Sequence, residues 1–345
     1  MQTIIIALLV FSLLIIVHEL GHFIVAKKVG MRVEEFSLGM GPKIIGKTKG
    51  ETLYSLRIFP IGGFVKVSGE GSEDESLPMD DPRLYPNKSI GERGLFLFAG
   101  SFMNFFLGFV LFTLLFSFVG TPYAESVIGD VVENSPASRA GLLAEDRVIA
   151  INDIDVNYWD EMVDQVVNSD GQEIEMTVIR NGSELDILVF PEIDPERNVA
   201  IIGIIQSEIK WRKTNIFQAI YLSGKRTLEM AALIFVSFIQ LLTRRMDTAE
   251  LASPIRIVQM IGETARYGLM ALMSFTALIS INLGVLNLFP IPPLDGSKIM
   301  LLGIEKVRGK PLDPKKEGMI HLIGFAFLIG IMLLVAYQDI ITLNN

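Results

Sequence analysis

The order of apolar and polar residues along the chain predicts several membrane-spanning helices. Three apolar runs are long enough to cross a bilayer: Ile4–Ala26, Leu95–Val119 and Met319–Tyr337. A fourth run, Leu269–Phe289, is also apolar but ends in a stretch rich in asparagine and proline. The run Met230–Leu242 is shorter and predicts an interfacial or buried helix rather than a span. We therefore expect four spans.

Between the second and third spans the pattern changes from helical to strand-like. Apolar and polar residues alternate over much of residues 126–191, and turn signals such as Asn181-Gly182 separate the alternating segments. This pattern predicts a folded domain with several β-strands, inserted between the helices.

Composition supports the same organisation and excludes some functions. The chain is 50% hydrophobic and 20% charged, which fits apolar spans joined by polar loops and one folded domain. The net charge of −9 gives no support for a nucleic-acid partner. The chain has no cysteine, so disulfides are excluded and any zinc ion must be held by nitrogen and oxygen atoms.

Basic residues predict the orientation of the spans. Lys27 and Lys28 directly follow the first span, and a second basic cluster occupies residues 298–316 before the last span. By the positive-inside rule, residues 27–93 and 298–316 should be cytoplasmic. Residues 120–267 and both termini should then be extracytoplasmic.

Candidate chemistry lies inside the first apolar run, at His18-Glu19-Leu20-Gly21-His22. On a helix the two histidines share one face, so both can bind one zinc ion with Glu19 beside it. Ionisable groups in a span are costly and indicate a functional site. We therefore predict a zinc site with Glu19 as general base, the alternative being that Glu19 is a fourth ligand or a structural partner. His18 precedes Lys27 by about 13 Å of helix, so the site should lie below the cytoplasmic membrane surface.

A catalytic zinc ion needs a third protein ligand, and the sequence offers Asp295 or His321. Asp295 belongs to the segment Asn287–Gly296, whose prolines open the helix end on the same side of the bilayer as His18. A fifth span at Met230–Leu242 would place Asp295 across the bilayer from His18, and this also favours four spans. The alternative readings are a turn residue for Asp295 and a helix-packing residue for His321.

The two motifs, His18–His22 and Asn287–Gly296, together resemble those of the site-2 protease family (M50) of intramembrane zinc metalloproteases. The resemblance is to the bacterial branch of this family, whose members include proteases that regulate sigma-E. Phe36–Pro42 resembles the family's glycine-rich segment, and Phe59–Lys66 resembles its membrane-dipping β-loop. Gly100–Asn104 resembles its GxxxN element, and Asn134–Ile149 resembles its PDZ domain. The best-known enterobacterial members carry two PDZ domains, whereas this chain has room for one.

The resemblance implies a polytopic α-helical membrane protein with four transmembrane helices, a membrane-dipping β-loop and an inserted extracytoplasmic PDZ domain of mixed α/β structure. We expect the first two helices and the β-loop in residues 1–119 and the PDZ domain in 120–200. An extracytoplasmic helical linker with an interfacial helix should follow in 201–267, and the last two helices in 268–345. The expected location is the bacterial inner membrane, and the expected cofactor is one zinc ion per chain.

The expected substrates are transmembrane segments of single-pass proteins, such as anti-sigma factors, or remnant signal peptides. The strand pattern of Phe59–Val67 predicts an edge that could hold an unwound substrate, with Gly62, Gly63 and Phe64 as candidate substrate contacts. An ordinary cytoplasmic hairpin is the alternative.

Two polar residues in apolar runs, Asn104 and Asn287, are further candidates for substrate binding. Each could instead hydrogen-bond a neighbouring helix. The PDZ domain could gate substrates by size or bind a peptide tail.

Three other functions compete with this interpretation. One is a membrane PDZ scaffold without proteolytic activity, and another is a transporter, which would predict inverted repeats that the sequence lacks. The third is a conventional zinc protease that acts on soluble peptides.

Overall fold

The computed structural model describes residues 2–70, 77–195, 199–243 and 253–343. The chain forms two compact units. The first comprises Met1–Leu115 and Ile220–Asn345, and the second comprises Phe116–Ala219.

The first unit begins with a long helix and a long β-hairpin. Helix α1 (Gln2–Lys28) is followed by strands β1 (Val33–Lys49) and β2 (Thr52–Val67), a short 3-10 turn (Tyr85–Asn87) and helix α2 (Ile90–Phe118). Helices α1 and α2 approach closely at Gly21, where a Cβ would lie 2.8 Å from Cγ of Met103.

Residues at the start of β1 pair with two different segments of β2. Ser37 in β1 pairs with Phe64 on one side and with Ser55 on the other. The first part of β1 therefore lies between two segments of β2. Within the described residues, the segment from Gly63 to Val67 pairs on one side only, so it forms an edge of this sheet.

The second unit is built mostly from short strands. In chain order its elements are β3 (Thr121–Tyr123), β4 (Ile128–Val131), α3 (Pro136–Ala140), β5 (Arg147–Ile151), β6 (Ile154–Asp155), α4 (Trp159–Val167), β7 (Ile174–Arg180), β8 (Ser183–Val189), β9 (Glu192–Ile193), β10 (Ala200–Ile201), β11 (Ile204–Gln206) and β12 (Lys210–Arg212).

The largest sheet of the second unit has the strand order β6-β5-β7-β8, with antiparallel pairing throughout. Alternate residues of β7 are buried, as expected for a strand with one face on a core. Strands β4 and β11 pair with each other, as do β9 with β10 and β3 with β12. The core of this unit includes fully buried aliphatic and methionine side chains such as Ile128, Val148, Ile151, Met162, Ile174, Met176 and Val178.

The rest of the first unit is helical. It comprises α5 (Ile216–Leu242), α6 (Pro254–Arg266), α7 (Leu269–Asn287), α8 (Asp295–Arg308) and α9 (Pro314–Leu343). The predicted short helix Met230–Leu242 is thus the second half of the 27-residue helix α5.

Four helices within the described residues are long and apolar enough to cross a membrane: α1, α2, α7 and the Lys315–Val335 part of α9. This confirms the four spans predicted from the apolar runs. Helix α5 carries Lys225, Arg226 and Glu229 in its middle and is not among the four.

Candidate active site

Helix α1 presents His18 and His22 on one face, as their spacing predicted. Both imidazoles are buried, and their Nε2 atoms lie 3.2 Å apart. His22 Nδ1 lies 2.8 Å from the carbonyl oxygen of Phe96 on α2. Because a carbonyl only accepts, Nδ1 of His22 donates, and its Nε2 keeps a lone pair that can bind a metal ion.

Asp295 reaches these histidines because the chain turns between α7 and α8. Pro290, Pro292 and Pro293 cannot continue α7, and α8 begins at Asp295 itself. The turn is tight at Gly296, where a Cβ would lie 2.5 Å from the carbonyl oxygen of Phe289. A glycine is therefore needed directly after Asp295.

The three side chains converge on one point. Oδ2 of Asp295 lies 3.2 Å from Nε2 of His18 and 3.3 Å from Nε2 of His22. A tetrahedral zinc ion with bonds of about 2.0–2.1 Å separates its ligand atoms by about 3.3–3.4 Å. The observed triangle fits that geometry, and this group of His18, His22 and Asp295 could hold a metal ion.

Gly100 on α2 keeps one side of this triangle open. A Cβ at Gly100 would lie 2.6 Å from Cε1 and 2.7 Å from Nε2 of His18, and closer still to Nε2 of His22. Any side chain at this position would occupy space beside the metal-binding atoms. In the sequence, Gly100 was singled out only as the first residue of the segment that resembles the GxxxN element.

Glu19 is half-buried on the same helix and lies next to the sheet edge. The backbone amide of Val65 lies near its carboxylate. A Cβ at Gly63 would lie 3.5 Å from Cγ of Glu19. The edge segment of β2 thus runs beside the predicted general base.

Comparison with known proteins identifies the family. The profile of peptidase family M50 matches residues 6–331. The chain belongs to peptidase family M50. It is 30% identical to the zinc metalloprotease RasP of Oceanobacillus iheyensis, across 99% of each chain. It is 32% identical to RasP of Geobacillus kaustophilus over 99% of this chain and 98% of that one. The regulator of sigma-W protease RasP of Bacillus subtilis is 29% identical over 98% of both chains.

This M50 peptidase is therefore an intramembrane zinc metalloprotease, and zinc is its cofactor. Its helices make it a multi-pass bacterial membrane protein. The enzyme class predicted from the two sequence motifs is confirmed.

The other candidate ligand, His321, does not join the metal-binding group among the described residues. It lies on α9, and its Nε2 is 3.8 Å from Oε1 of Glu317. Neither ring nitrogen has a hydrogen-bond partner within the described part of the chain.

Lys298 lies one turn after Asp295 on α8 and pairs with Glu70 at 2.6 Å. Burial lowers the pKa of Lys298, but the Glu70 carboxylate outweighs this effect, and the pKa lies above its ordinary value. The pair joins the helix that carries Asp295 to the chain just beyond β2.

The predicted substrate contacts lie on three elements: β2, α7 and α2. Gly63 is buried beside Glu19, while Gly62 has a left-handed backbone with φ of 98°. Phe64 lies under the guanidinium of Arg57, 5.0 Å from its ring centre. Asn287 is the half-buried last residue of α7.

Asn104, the remaining predicted contact, is fully buried on α2 and lies 3.1 Å from Nδ1 of His18. Of the two roles considered for this residue, the geometry matches contact with a neighbouring helix. Its role in substrate binding stays a prediction.

Sequence reasoning missed a contact between α5 and the turn that leads to Asp295. The ring of Phe289 lies 4.0 Å from that of Phe238 and is stacked with that of Phe235 at 5.5 Å. The aromatic residues of α5 were visible in the sequence, but nothing in their spacing indicated which distant segment they contact.

Proposed function

We propose that His18, His22 and Asp295 hold the catalytic zinc ion and that Glu19 is the general base. The observation that carries this proposal is the triangle of ligand atoms, with sides of 3.2–3.3 Å, contributed by helices far apart in sequence. Its dimensions match three corners of a zinc tetrahedron, so the fourth corner is left for water or substrate.

When bound, zinc supplies Lewis acidity that activates water and polarises the peptide carbonyl. The carboxylate of Glu19 takes a proton from the attacking water and then donates it to the leaving amine nitrogen. Burial of His18 and His22 among α1, α2 and α8 shields the site from lipid.

The substrate is a transmembrane segment that unwinds and pairs with the edge of β2 from Gly63 to Val67. Two observations support this proposal: the edge has a partner on one side only within the described residues, and it passes beside Glu19. An extended peptide added to such an edge gains backbone hydrogen bonds and places a carbonyl close to the base. Gly62, Phe64 and Asn287 are assigned as further substrate contacts.

Single-pass membrane proteins are the proposed substrates, with anti-sigma factors and remnant signal peptides as the two classes. A relative from B. subtilis is named a regulator of sigma-W, which favours the first class.

The proposed membrane is the bacterial inner membrane, with both termini outside and the zinc site toward the cytoplasm. The basic residues that follow α1 and precede α9 support this orientation. The hairpin of β1 and β2 is proposed to dip into the bilayer surface. Exposed apolar side chains along it support this: Met40, Ile44, Ile45, Ile58 and Phe59.

The second unit is proposed to be a single extracytoplasmic PDZ domain. Support comes from its antiparallel sheet, its two short helices and the sequence pattern of residues 134–149. Its role is either to exclude substrates with large outer domains or to bind a peptide tail. Cleavage rates for substrates that differ only in outer-domain size, or only in their tail, separate the two roles.

The decisive experiment measures cleavage in lipid nanodiscs with a membrane-spanning peptide. The variants are wild type, Glu19→Gln and a matched control, Glu263→Gln, at an exposed position on α6. Wild type and control should cleave equally, whereas Glu19→Gln should bind zinc normally and lose at least about 100-fold in rate. Cleavage by Glu19→Gln at the wild-type rate would refute the assignment of the base.

A soluble peptide of matched sequence tests the substrate class. If the enzyme hydrolyses it as fast as the membrane-spanning form, then unwinding of a transmembrane segment is not part of its function.

A further inference from the structure

Asn104 occupies a position in the site that the proposed mechanism does not use. Its side chain is fully buried on α2, and its amide group touches Nδ1 of His18 at 3.1 Å. The amide nitrogen is placed toward His18, which leaves the oxygen Oδ1 buried without a partner among the described residues. A buried polar atom of this kind costs free energy unless it is paired.

The chemistry of histidine decides which amide atom must face His18 when a metal is bound. If the Asn104 nitrogen donates to Nδ1, then Nδ1 is an acceptor and the proton of neutral His18 sits on Nε2. Nε2 would then have no lone pair for a metal ion. A rotation of the amide by about 180° exchanges its nitrogen and oxygen at almost no steric cost.

We propose that Asn104 is a positioning residue for the zinc site: its side-chain oxygen accepts a hydrogen bond from Nδ1 of His18 and fixes the tautomer that binds zinc through Nε2. The inference rests on the proposed function, because it assumes that His18 is a ligand. It assigns Asn104 a role through His18 instead of through the substrate.

The second ligand histidine supports this assignment. His22 Nδ1 lies 2.8 Å from the carbonyl oxygen of Phe96, so it already has the arrangement that we infer for His18. Both acceptors lie on α2, two turns of helix apart. One helix therefore orients both imidazoles of α1, one through a backbone carbonyl and one through an amide side chain. Such outer partners typically change metal affinity by about 10- to 100-fold when removed.

The backbone around Asn104 is itself fixed by α7. The hydroxyl of Ser280 donates to the carbonyl oxygen of Asn104 at 2.7 Å, and Ser280 is fully buried. This hydrogen bond is made to the backbone of Asn104, not to its side chain, and it does not involve His18. Ser280→Ala is therefore a matched control for general loosening of the helix contact.

The test measures zinc affinity of the full-length protein in nanodiscs at constant pH by competition with a chromogenic chelator. Asn104→Leu removes the acceptor and should weaken zinc binding by about 10- to 100-fold. Asn104→Asp keeps an acceptor oxygen and should stay within a few-fold of wild type. Ser280→Ala should bind zinc as wild type does. If Asn104→Leu does not fold, Asn104→Ala replaces it, because it removes the amide without adding a branched side chain.

Three outcomes would overturn the inference: wild-type zinc affinity in the variant without an acceptor, equal loss in Asn104→Asp, or equal loss in Ser280→Ala. His18→Ala separates this inference from the proposed function. Loss of zinc in His18→Ala together with normal binding in Asn104→Leu refutes only the role of Asn104. Normal binding in His18→Ala refutes the ligand assignment itself.

Discussion

Gly100 on α2 faces Nε2 of His18 on α1, and a Cβ at this glycine would lie 2.7 Å from that atom. Gly100→Ala should therefore displace the ligand imidazoles. We expect zinc affinity to fall by about 100-fold or more, because the ligands themselves move. Loss of a hydrogen-bond partner of a ligand typically lowers it by only about 10- to 100-fold. Chelator competition measures this loss directly.

Gly94→Ala on the same helix is the control for Gly100→Ala. A Cβ at Gly94 would meet nothing within 4 Å, so this variant changes helix propensity without touching the site. If both variants lose zinc equally, the effect comes from α2 as a whole and Gly100 has no special role.

Gly63 tests the proposed substrate edge. A Cβ there would lie 2.8 Å from the carbonyl oxygen of Ser37, which forces the edge segment to shift relative to Glu19. Because shifts of about 1 Å between reacting groups are costly, Gly63→Ala should lower kcat/KM for a membrane-spanning peptide by about 10- to 100-fold. Zinc affinity should not change.

Gly46→Ala provides the comparison for the edge. Its Cβ would meet Cδ1 of Leu53 and Cδ of Lys43, both on flexible side chains, at 3.1 and 3.2 Å, and the carbonyl oxygen of Tyr54 at an ordinary contact distance of 3.4 Å. Its segment pairs with the first part of β2, away from the Gly63 edge. Cleavage kinetics of both variants measure the difference. Equal loss of activity in Gly46→Ala would argue against a specific role for the Gly63 edge.

In the second unit, Asp146 is held by Arg180. The side chain of Asp146 is 1% exposed, and its two oxygens accept from Arg180 at 2.7 and 2.6 Å. Arg180→Met should leave this carboxylate buried without its main partner and destabilise the unit by about 2–3 kcal/mol. Both tryptophans of the chain, Trp159 and Trp211, lie in this unit, so urea unfolding followed by tryptophan fluorescence reports on it alone. An unchanged midpoint would contradict the prediction.

The same pair predicts how the stability of this unit depends on pH. Burial raises the pKa of Asp146, but hydrogen bonds from Arg180 and the Leu143 amide outweigh it, and the pKa lies below its ordinary value. The unfolded chain therefore takes up the proton more readily than the folded one. The stabilisation is complete above about pH 4 and is lost as the pH falls through the lowered pKa. Asp146→Asn should show a smaller loss of stability between about pH 5 and pH 2 than wild type. An equal loss in both proteins would contradict this assignment.

The four membrane helices could be predicted because length and hydropathy are local properties. The predicted run Ile4–Ala26 corresponds to the helix Gln2–Lys28, and the predicted run Leu269–Phe289 corresponds to the helix Leu269–Asn287. Helix α5 was predicted at half its length, because Lys225, Arg226 and Glu229 interrupt the apolar pattern without ending the helix.

Only those site residues that belong to the two sequence motifs could be predicted from the sequence. His18, His22 and Asp295 followed from ligand chemistry and from the side of the bilayer on which each should lie. The contacts of Gly100 with both histidines, of Phe96 with His22 and of Asn104 with His18 depend on how α2 packs against α1. The position of β1 between two segments of β2 is likewise a matter of tertiary pairing, which alternation within one strand does not encode.

Zinc content of purified protein is the most direct test of the account, because the central claim is that α1 and α8 share one metal ion. Wild type and the exposed-loop control Asp80→Ala should both retain stoichiometric zinc during dialysis against a weak chelator. Asp295→Ala should lose it, whereas His321→Ala should keep it. Stoichiometric zinc in Asp295→Ala, or its loss in His321→Ala, would contradict the account.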